Sequence, residues 1–431
     1  MSPETIGILG IVAVVILLFA RMWIGLAMAV VGFVGIFLIL GLRPALGAVA
    51  VIPFANVADN SLAAAVLFTL MGIVIGNSGI GTELYNAAHA WVGQFRGGLA
   101  MATSIANAIF GAATGVALAS LAVFGRVSMQ EMRRLGYDEQ LAAGCIVSSS
   151  TLAFLIPPSL AFIIYGIITE TSISALFIAG ILPGILLAAL FMITTRIIIA
   201  RHPEKGPPGP KTTARTKVVE LRHVWHVVAL FVLVMGGIYA GIFDATEAGA
   251  VGAFGAVVIT AATRKLTPRT FLNSLKDTAQ VTGMLCIVIV GAFIFMRFLA
   301  LSRVPWMLSE FIVGLNLPPV AILAGIVLLY IILGMFMEVF AAIFLTVPII
   351  LPPLVAMGYD PIWFGVIVVL LINMGIITPP VGVATYMLSG LTGVPSSTIF
   401  RGALPYLAAV VVCVIILTIF PQIVLFLPGA M

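Results

Sequence analysis

Apolar residues run along most of this chain in unbroken stretches, without the two-residue alternation of strands or the one-sided stripe of a soluble helix. Residues 6–20, 22–42 and 61–78 are apolar on every helical face, as in helices surrounded by lipid or protein, and each approaches the roughly 20 residues that cross a hydrocarbon core. Residues 79–96 differ. Leu84, Ala88, Trp91, Val92 and Phe95 interleave with Glu83, Asn86, His89 and Gln94, an amphipathic period that predicts a helix lying at the membrane surface. The apolar stretch 97–127 has Arg96 at one end and Arg126, Arg133 and Arg134 at or beyond the other. Both ends therefore belong on one side, which predicts a re-entrant hairpin with its tip near Phe110-Gly111-Ala112-Ala113-Thr114-Gly115. Residues 139–169 are too long for one straight span, and Pro157-Pro158 cannot continue a helix, so a broken helix is predicted there. A span over 172–200 follows.

Beyond a hydrophilic stretch at 201–223 the same succession returns: spans over 224–243, 246–263 and 278–301, a surface stretch over 302–317, and a hairpin over 318–357 with its tip near Gly334-Met335-Phe336-Met337-Glu338. A broken helix over 360–390 and a last span over 404–427 complete it. The return is exact in register. Gly136-Tyr137-Asp138 recurs as Gly358-Tyr359-Asp360, Pro157-Pro158 as Pro379-Pro380, and Gly180 and Pro183 as Gly402 and Pro405, each 222 residues on. Charge gives the copies opposite orientations, since Arg133-Arg134 precede the first Gly-Tyr-Asp whereas no Lys or Arg occurs between Val304 and Phe400, and cationic loops stay in the cytoplasm. Five crossings and a hairpin in each half invert the second copy. The predicted fold is an all-α polytopic membrane protein, an inverted-repeat transporter with two re-entrant hairpins and two broken helices. Its predicted divisions are a first repeat over 1–200 (scaffold spans 1–96, transport elements 97–200), a basic cytoplasmic linker over 201–223, and a second repeat over 224–431 (scaffold spans 224–317, transport elements 318–431). Both termini are expected outside.

Composition agrees: 62% of the 431 residues are hydrophobic and 8% charged, far from the quarter-charged make-up of soluble domains. The net charge of +5 sits in loops, so it orients the chain against anionic membrane lipids and does not imply nucleic acid. Cys145, Cys286 and Cys413 lie in apolar runs without metal-ligand spacing. There is no Gly-Lys-Ser/Thr phosphate loop and no His-Glu-x-x-His, which leaves a membrane-embedded enzyme little support and excludes direct use of ATP.

Candidate chemistry gathers at the two breaks. Thr114, Ser149, Ser150 and Thr151 in the first half, and Asn373, Gly375 and Thr378 in the second, supply hydroxyl, amide and carbonyl oxygens where a broken helix exposes its ends. Half-helix C-terminal ends hold hard cations such as Na⁺, and N-terminal ends attract a carboxylate. Pro157, Pro158, Ser159, Glu338, Pro379, Pro380 and Gly382 would line the substrate. The blander alternative is that each Pro-Pro kinks a packed helix while its hydroxyls bond back to the preceding turn. Glu338 is the carboxylate well inside the second hairpin, a functional candidate as an ionisable group at depth; its alternative is a structural acid bonded to free backbone amides.

At Met129-Gln130-Glu131-Met132-Arg133-Arg134-Leu135-Gly136-Tyr137, Leu155-Ile156-Pro157-Pro158-Ser159, Leu176 to Gly184, Asp360 to Gly365 and Thr378-Pro379-Pro380-Val381-Gly382, the chain resembles the large membrane subunit of TRAP (tripartite ATP-independent periplasmic) transporters. The resemblance implies Na⁺-coupled elevator transport of a small organic acid, dicarboxylate-like or sugar-acid-like, across a bacterial inner membrane. It implies no cofactor beyond the coupling ion Na⁺, and two partners: a small four-helix membrane subunit and a periplasmic solute-binding protein. A stand-alone carrier or exporter is the alternative within transport. The family's hairpin Ser-Gly-Ser is replaced here by Ala113-Thr114-Gly115, and its Gly-Gly-Thr-Leu-Gly by Ser149-Ser150-Thr151-Leu152-Ala153. An Asn usual after its second Pro-Pro-Val-Gly is absent around Val383-Ala384.

Overall fold

The repeated Gly-Tyr-Asp is a helix stop followed by a helix start. In the computed structural model, which describes residues 1–314 and 317–430, Gly136 and Gly358 adopt φ of +74° and +87°, the left-handed region open to glycine. Behind each glycine the tyrosine N–H donates back to the finished helix, Tyr137 to the Met132 carbonyl and Tyr359 to the Leu354 carbonyl, the backbone pattern that closes a helix C-terminus. The aspartate then caps the next helix: Asp138 accepts from Leu141 N, and Asp360 from Ile362 N and Trp363 N. Hairpin and broken helix are thereby joined in the same way twice.

The regular elements among the described residues are helices. Eight are long and apolar enough to cross a membrane, and Glu139–Leu155 with Leu160–Thr169, bent by 41°, adds a ninth. The stretches expected as hairpins are helix pairs, Gly98–Thr114 with Ala117–Arg134, and Pro319–Phe336 with Val339–Ala356. Their turns fall at Gly115-Val116 and Met337-Glu338, in register under the 222-residue offset. The second broken helix runs as Pro361–Gly375 and Val383–Thr392, interrupted over 376–382. Helix Val304–Gly314 occupies the expected surface stretch over 302–317, of which residues 315 and 316 lie outside the described residues, as does Met431 at the end of the second repeat.

The halves exchange contacts. Ile24–Leu40 packs along Pro268–Ser302, and its repeat mate Ala245–Ala262 packs along Asn60–Asn77; Glu139–Ser150 packs on Ser396–Ile419, and its mate Pro361–Gly375 on Ile173–Arg201. Each half buries its apolar faces against the other.

Two features depart from the pattern-based expectation. Residues 42–57, not anticipated as an element, form helix Leu42–Val57, and the span expected over 278–301 belongs to one 35-residue helix, Pro268–Ser302. One residue accounts for the difference between the copies. Asp59 accepts from Ser61 N at 2.7 Å and starts a new helix at Asn60; its repeat mate is Val281, which has no cap to offer, so the second copy runs on unbroken. The basic stretch 201–223 is also more ordered than a tether. Its helix begins at Ala214, and before it Gly206 O accepts from Gly97 N, Gly209 N donates to Gly93 O, and Thr212 Oγ1 donates to Ala90 O.

Candidate functional site around the two helix breaks

The two broken helices meet at one point, and it is the point the repeat predicts. Asn373 Nδ2 donates to the Thr151 carbonyl at 2.8 Å, and the two residues are 222 positions apart. Repeat mates touching each other lie at the local pseudo-twofold axis, so the oxygens of both breaks converge on one region.

Around that axis the first break is closed. Ser149 and Ser150 are fully buried, with Thr151 and Thr114 3% exposed, and Pro157, Pro158 and Ser159 are buried behind them. The turn of the first hairpin rests on the break, since a Cβ on Gly115 would stand 2.5 Å from the Pro158 carbonyl oxygen. The second break is open: Asn373 and Thr378 are buried, while Pro379, Pro380 and Val381 are exposed. The first arm of the second hairpin approaches it backbone to backbone, a Cβ on Gly375 falling 2.1 Å from the Gly334 carbonyl carbon. Both Pro–Pro peptides are cis.

The hydroxyls do bond back to their own helices: Thr114 donates to Phe110 O, Ser149 to Ile146 O, Ser150 to Val147 O, Thr151 to Ser148 O, Ser159 to Phe154 O and Thr378 to Met374 O. That satisfies each proton and leaves oxygen lone pairs free. Among the described residues, Asn373 Oδ1, Ser148 Oγ and Thr385 Oγ1 have no protein partner, although these residues are 2%, 0% and 0% exposed. Buried polar atoms are ordinarily paired. A hard cation satisfied by neutral oxygens and exposed carbonyls fits such a donor set. Glu338 is the N-cap residue of Val339–Ala356; it is exposed, with the backbone amides of Phe340 and Ala341 beside its carboxylate. The half-helices Leu160–Thr169 and Val383–Thr392 start at Ser159 and Gly382 without side-chain caps among the described residues; the first start is buried, and in the second Ala384 N donates to Ile376 O.

A buried network that the break motifs do not reveal lies behind them. Asn107 Nδ2 donates to Ser149 Oγ at 2.8 Å, and Ser120 Oγ donates to Asn107 Oδ1 at 2.6 Å, all three fully buried. It ties both arms of the first hairpin to the first broken helix. The available signal was a lone amide in an apolar hairpin arm.

Comparison with known proteins gives this geometry its family. The DctM component of the tripartite ATP-independent periplasmic transporters matches residues 11–423. The chain is 35% identical over 370 residues to a C4-dicarboxylate TRAP transporter large permease protein, DctM, of Pseudomonas aeruginosa, covering 86% of each. It is 32% identical over 413 residues to a sialic acid TRAP transporter large permease protein, SiaM, of Vibrio cholerae, covering 96% of each. A crystal structure of the Alcanivorax borkumensis YdaH transporter, described as having an unusual topology, shares the fold with a TM-score of 0.61 at 13% identity, over 88% of this chain and 89% of that one. A match over nearly the whole length, on a chain with two hairpins and two broken helices, places this protein in the DctM component family of the tripartite ATP-independent periplasmic transporters.

Proposed function

We propose that the chain is the large membrane subunit of a Na⁺-coupled importer of a small organic acid in a bacterial inner membrane. It acts with a small four-helix membrane subunit and a periplasmic solute-binding protein that delivers the substrate. The relatives are named for C4-dicarboxylate and sialic acid, both carboxylates, and the uncapped starts at Ser159 and Gly382 offer the positive half-helix ends that a carboxylate takes. Thr114, Ser149, Ser150 and Thr151 serve one cation site, and Asn373, Gly375 and Thr378 the other. Pro157, Pro158, Ser159, Pro379, Pro380 and Gly382 shape the space for substrate, and Glu338 at the open hairpin turn takes a cation or a proton. The arginine-rich end, with the linker, faces the cytoplasm and the termini face outward.

Elevator motion is part of this proposal and agrees with the expected division of the chain. Residues 97–200 and 318–431 carry both hairpins and both breaks as one body, which slides against the exchanged spans of 1–96 and 224–317. The observation that carries this reading is the Asn373 to Thr151 hydrogen bond: it holds both breaks to one axis, so substrate and ions travel together. The test is uptake into proteoliposomes of C4-dicarboxylates, sialic acid and other organic acids, with the co-encoded small subunit and binding protein, under an inward Na⁺ gradient. Uptake is expected only with all three proteins and Na⁺. Uptake by this chain alone, or uptake indifferent to Na⁺, would overturn it.

A further inference from the structure

At the arginine-rich end a groove of about 570 Å³ opens between Ile173–Arg201 and Ser396–Ile419. Its walls are apolar along their length, with Leu190, Ile193 and Ile197 on one helix and Ala408 and Val412 on the other. At its mouth stand Arg201, His202 and Lys205 beside Asp138. Lys205 Nζ lies 3.9 Å from Asp138 Oδ1, and His202 Nδ1 lies 3.5 Å from Glu204 Oε1. Arg201 is exposed and makes no ion pair among the described residues. From Arg201 to Leu190 the helix rises about 16 Å, which is close to the roughly 15 Å half-thickness of a hydrocarbon core.

The repeat provides an internal control for what such a groove holds. At the opposite end, the mates of Arg201, His202 and Lys205 are Ile423, Val424 and Leu427. There the chain fills its own groove: Gln422–Leu425 packs on Ile173–Arg201 and Pro361–Gly375, and Val424 is fully buried. The walls differ as well, for the mates of Ala408 and Ala409 are Leu186 and Leu187. One copy is narrow and plugged by apolar residues; the other is wider, unplugged and rimmed with cations.

We infer that the groove at the arginine-rich end binds an anionic phospholipid of the cytoplasmic leaflet, with its phosphate at Arg201 and Lys205 and one acyl chain along Leu190, Ile193 and Ile197. Basic pockets between spans on this side suit such headgroups, and the acyl chain replaces the segment that plugs the other copy. Because both walls belong to the body that carries the breaks, the lipid moves with that body.

The test is thermal unfolding and native mass spectrometry of the purified full chain with phosphatidylglycerol, with phosphatidylethanolamine of the same acyl chains, and with inorganic phosphate. Phosphatidylglycerol is expected to raise Tm and to be retained over phosphatidylethanolamine. R201Q and R201Q/K205Q should weaken that retention about fivefold for each cation removed, R201K should restore most of it, and A408L, which narrows the groove with the headgroup site intact, should reduce retention of both lipids. Equal retention of the two lipids, indifference to R201Q and A408L, or the same stabilisation by inorganic phosphate alone would each overturn the assignment. R201Q and A408L change exposed positions, so their size-exclusion profiles should match the unmodified chain.

Discussion

Replacing Asn373 with Leu separates a structural hydrogen bond from a cation ligand at the same residue. Leucine roughly preserves the volume, so little cavity is left, and both functions of the amide are lost. The structural cost is small because the Thr151 carbonyl keeps a second donor, Phe154 N at 3.1 Å. Losing the 2.8 Å bond from Asn373 Nδ2 therefore costs one interhelical hydrogen bond, about 0.6–1.5 kcal/mol, with no stranded partner to add to it. The unpartnered Oδ1 predicts a larger loss in cation affinity. A contact to a charged group contributes about 1.5–3 kcal/mol, so the Na⁺ concentration for half-maximal effect should rise roughly 10- to 150-fold. The assays are the Na⁺-induced shift of Tm in detergent and the Na⁺ dependence of uptake in proteoliposomes. A variant with slightly lower Tm and an unchanged Na⁺ requirement would refute the ligand role and leave Asn373 as a clasp between the two breaks.

Five other changes test the remaining assignments. Gly375→Ala sets a methyl group 2.1 Å from the Gly334 backbone; with backbone on both sides the strain should reach at least the roughly 3 kcal/mol upper range of overpacking, and expression with monodisperse gel filtration should be lost. Gly325→Ala, in the hairpin arm that carries Gly334 and with nothing within 4 Å of the new Cβ, should instead raise Tm, since alanine in a helix is favoured by about 0.5–1 kcal/mol. Ser150→Ala and Thr378→Ala delete hydroxyls bonded only within their own helices, so Tm should move little while the Na⁺ requirement rises; two unchanged Na⁺ curves would dismiss the paired sites. On the surface helix Ile80–Val92, burial holds His89 below its ordinary value of 6.5, partly offset by the Glu131 carboxylate and reinforced by Arg134. The unfolded chain then binds this proton first, so stability is complete above about pH 6.5 and falls as pH drops through that value; His89→Gln should flatten the Tm profile between about pH 5 and 7.

Comparison of the two copies separates what sequence pattern shows from what it hides. Hairpins, breaks and their register were legible because each is written in residues with one backbone meaning: glycine at positive φ, aspartate at an N-cap, and paired prolines that end a helix. The repeat then placed the second set from the first to within a residue or two. Hydropathy hid whatever depends on a partner. Leu42–Val57 was invisible because its apolar residues resemble span flanks, and the long Pro268–Ser302 helix because the absence of a cap at Val281 leaves no positive mark. Asn107 reads as one polar residue in an apolar arm until Ser149 and Ser120 are seen on either side of it.

The same comparison explains why the two sites cannot be equivalent although their backbones match. In the first copy Ser149, Ser150 and Thr151 are sealed beneath a hairpin turn that touches Pro158, and Asn107 fixes one of the hydroxyls from behind. In the second copy the mate of Asn107 is Leu329, and the mates of Ser149 and Ser150 are Leu371 and Ile372, so no polar network backs the break. There Asn373 alone reaches across the axis, and the acid lies on the hairpin turn at Glu338. On the proposed reading, a cation in the first site would meet a preorganised, buried shell. One in the second would depend on a turn that is exposed and on a single amide shared with the first. On the proposed two-site reading, the first site would fill with its shell already in place, whereas the second would rest on the exposed turn at Met337-Glu338. Na⁺ titrations should therefore show two affinities, and Asn373→Leu should weaken the lower-affinity phase more than Ser150→Ala does.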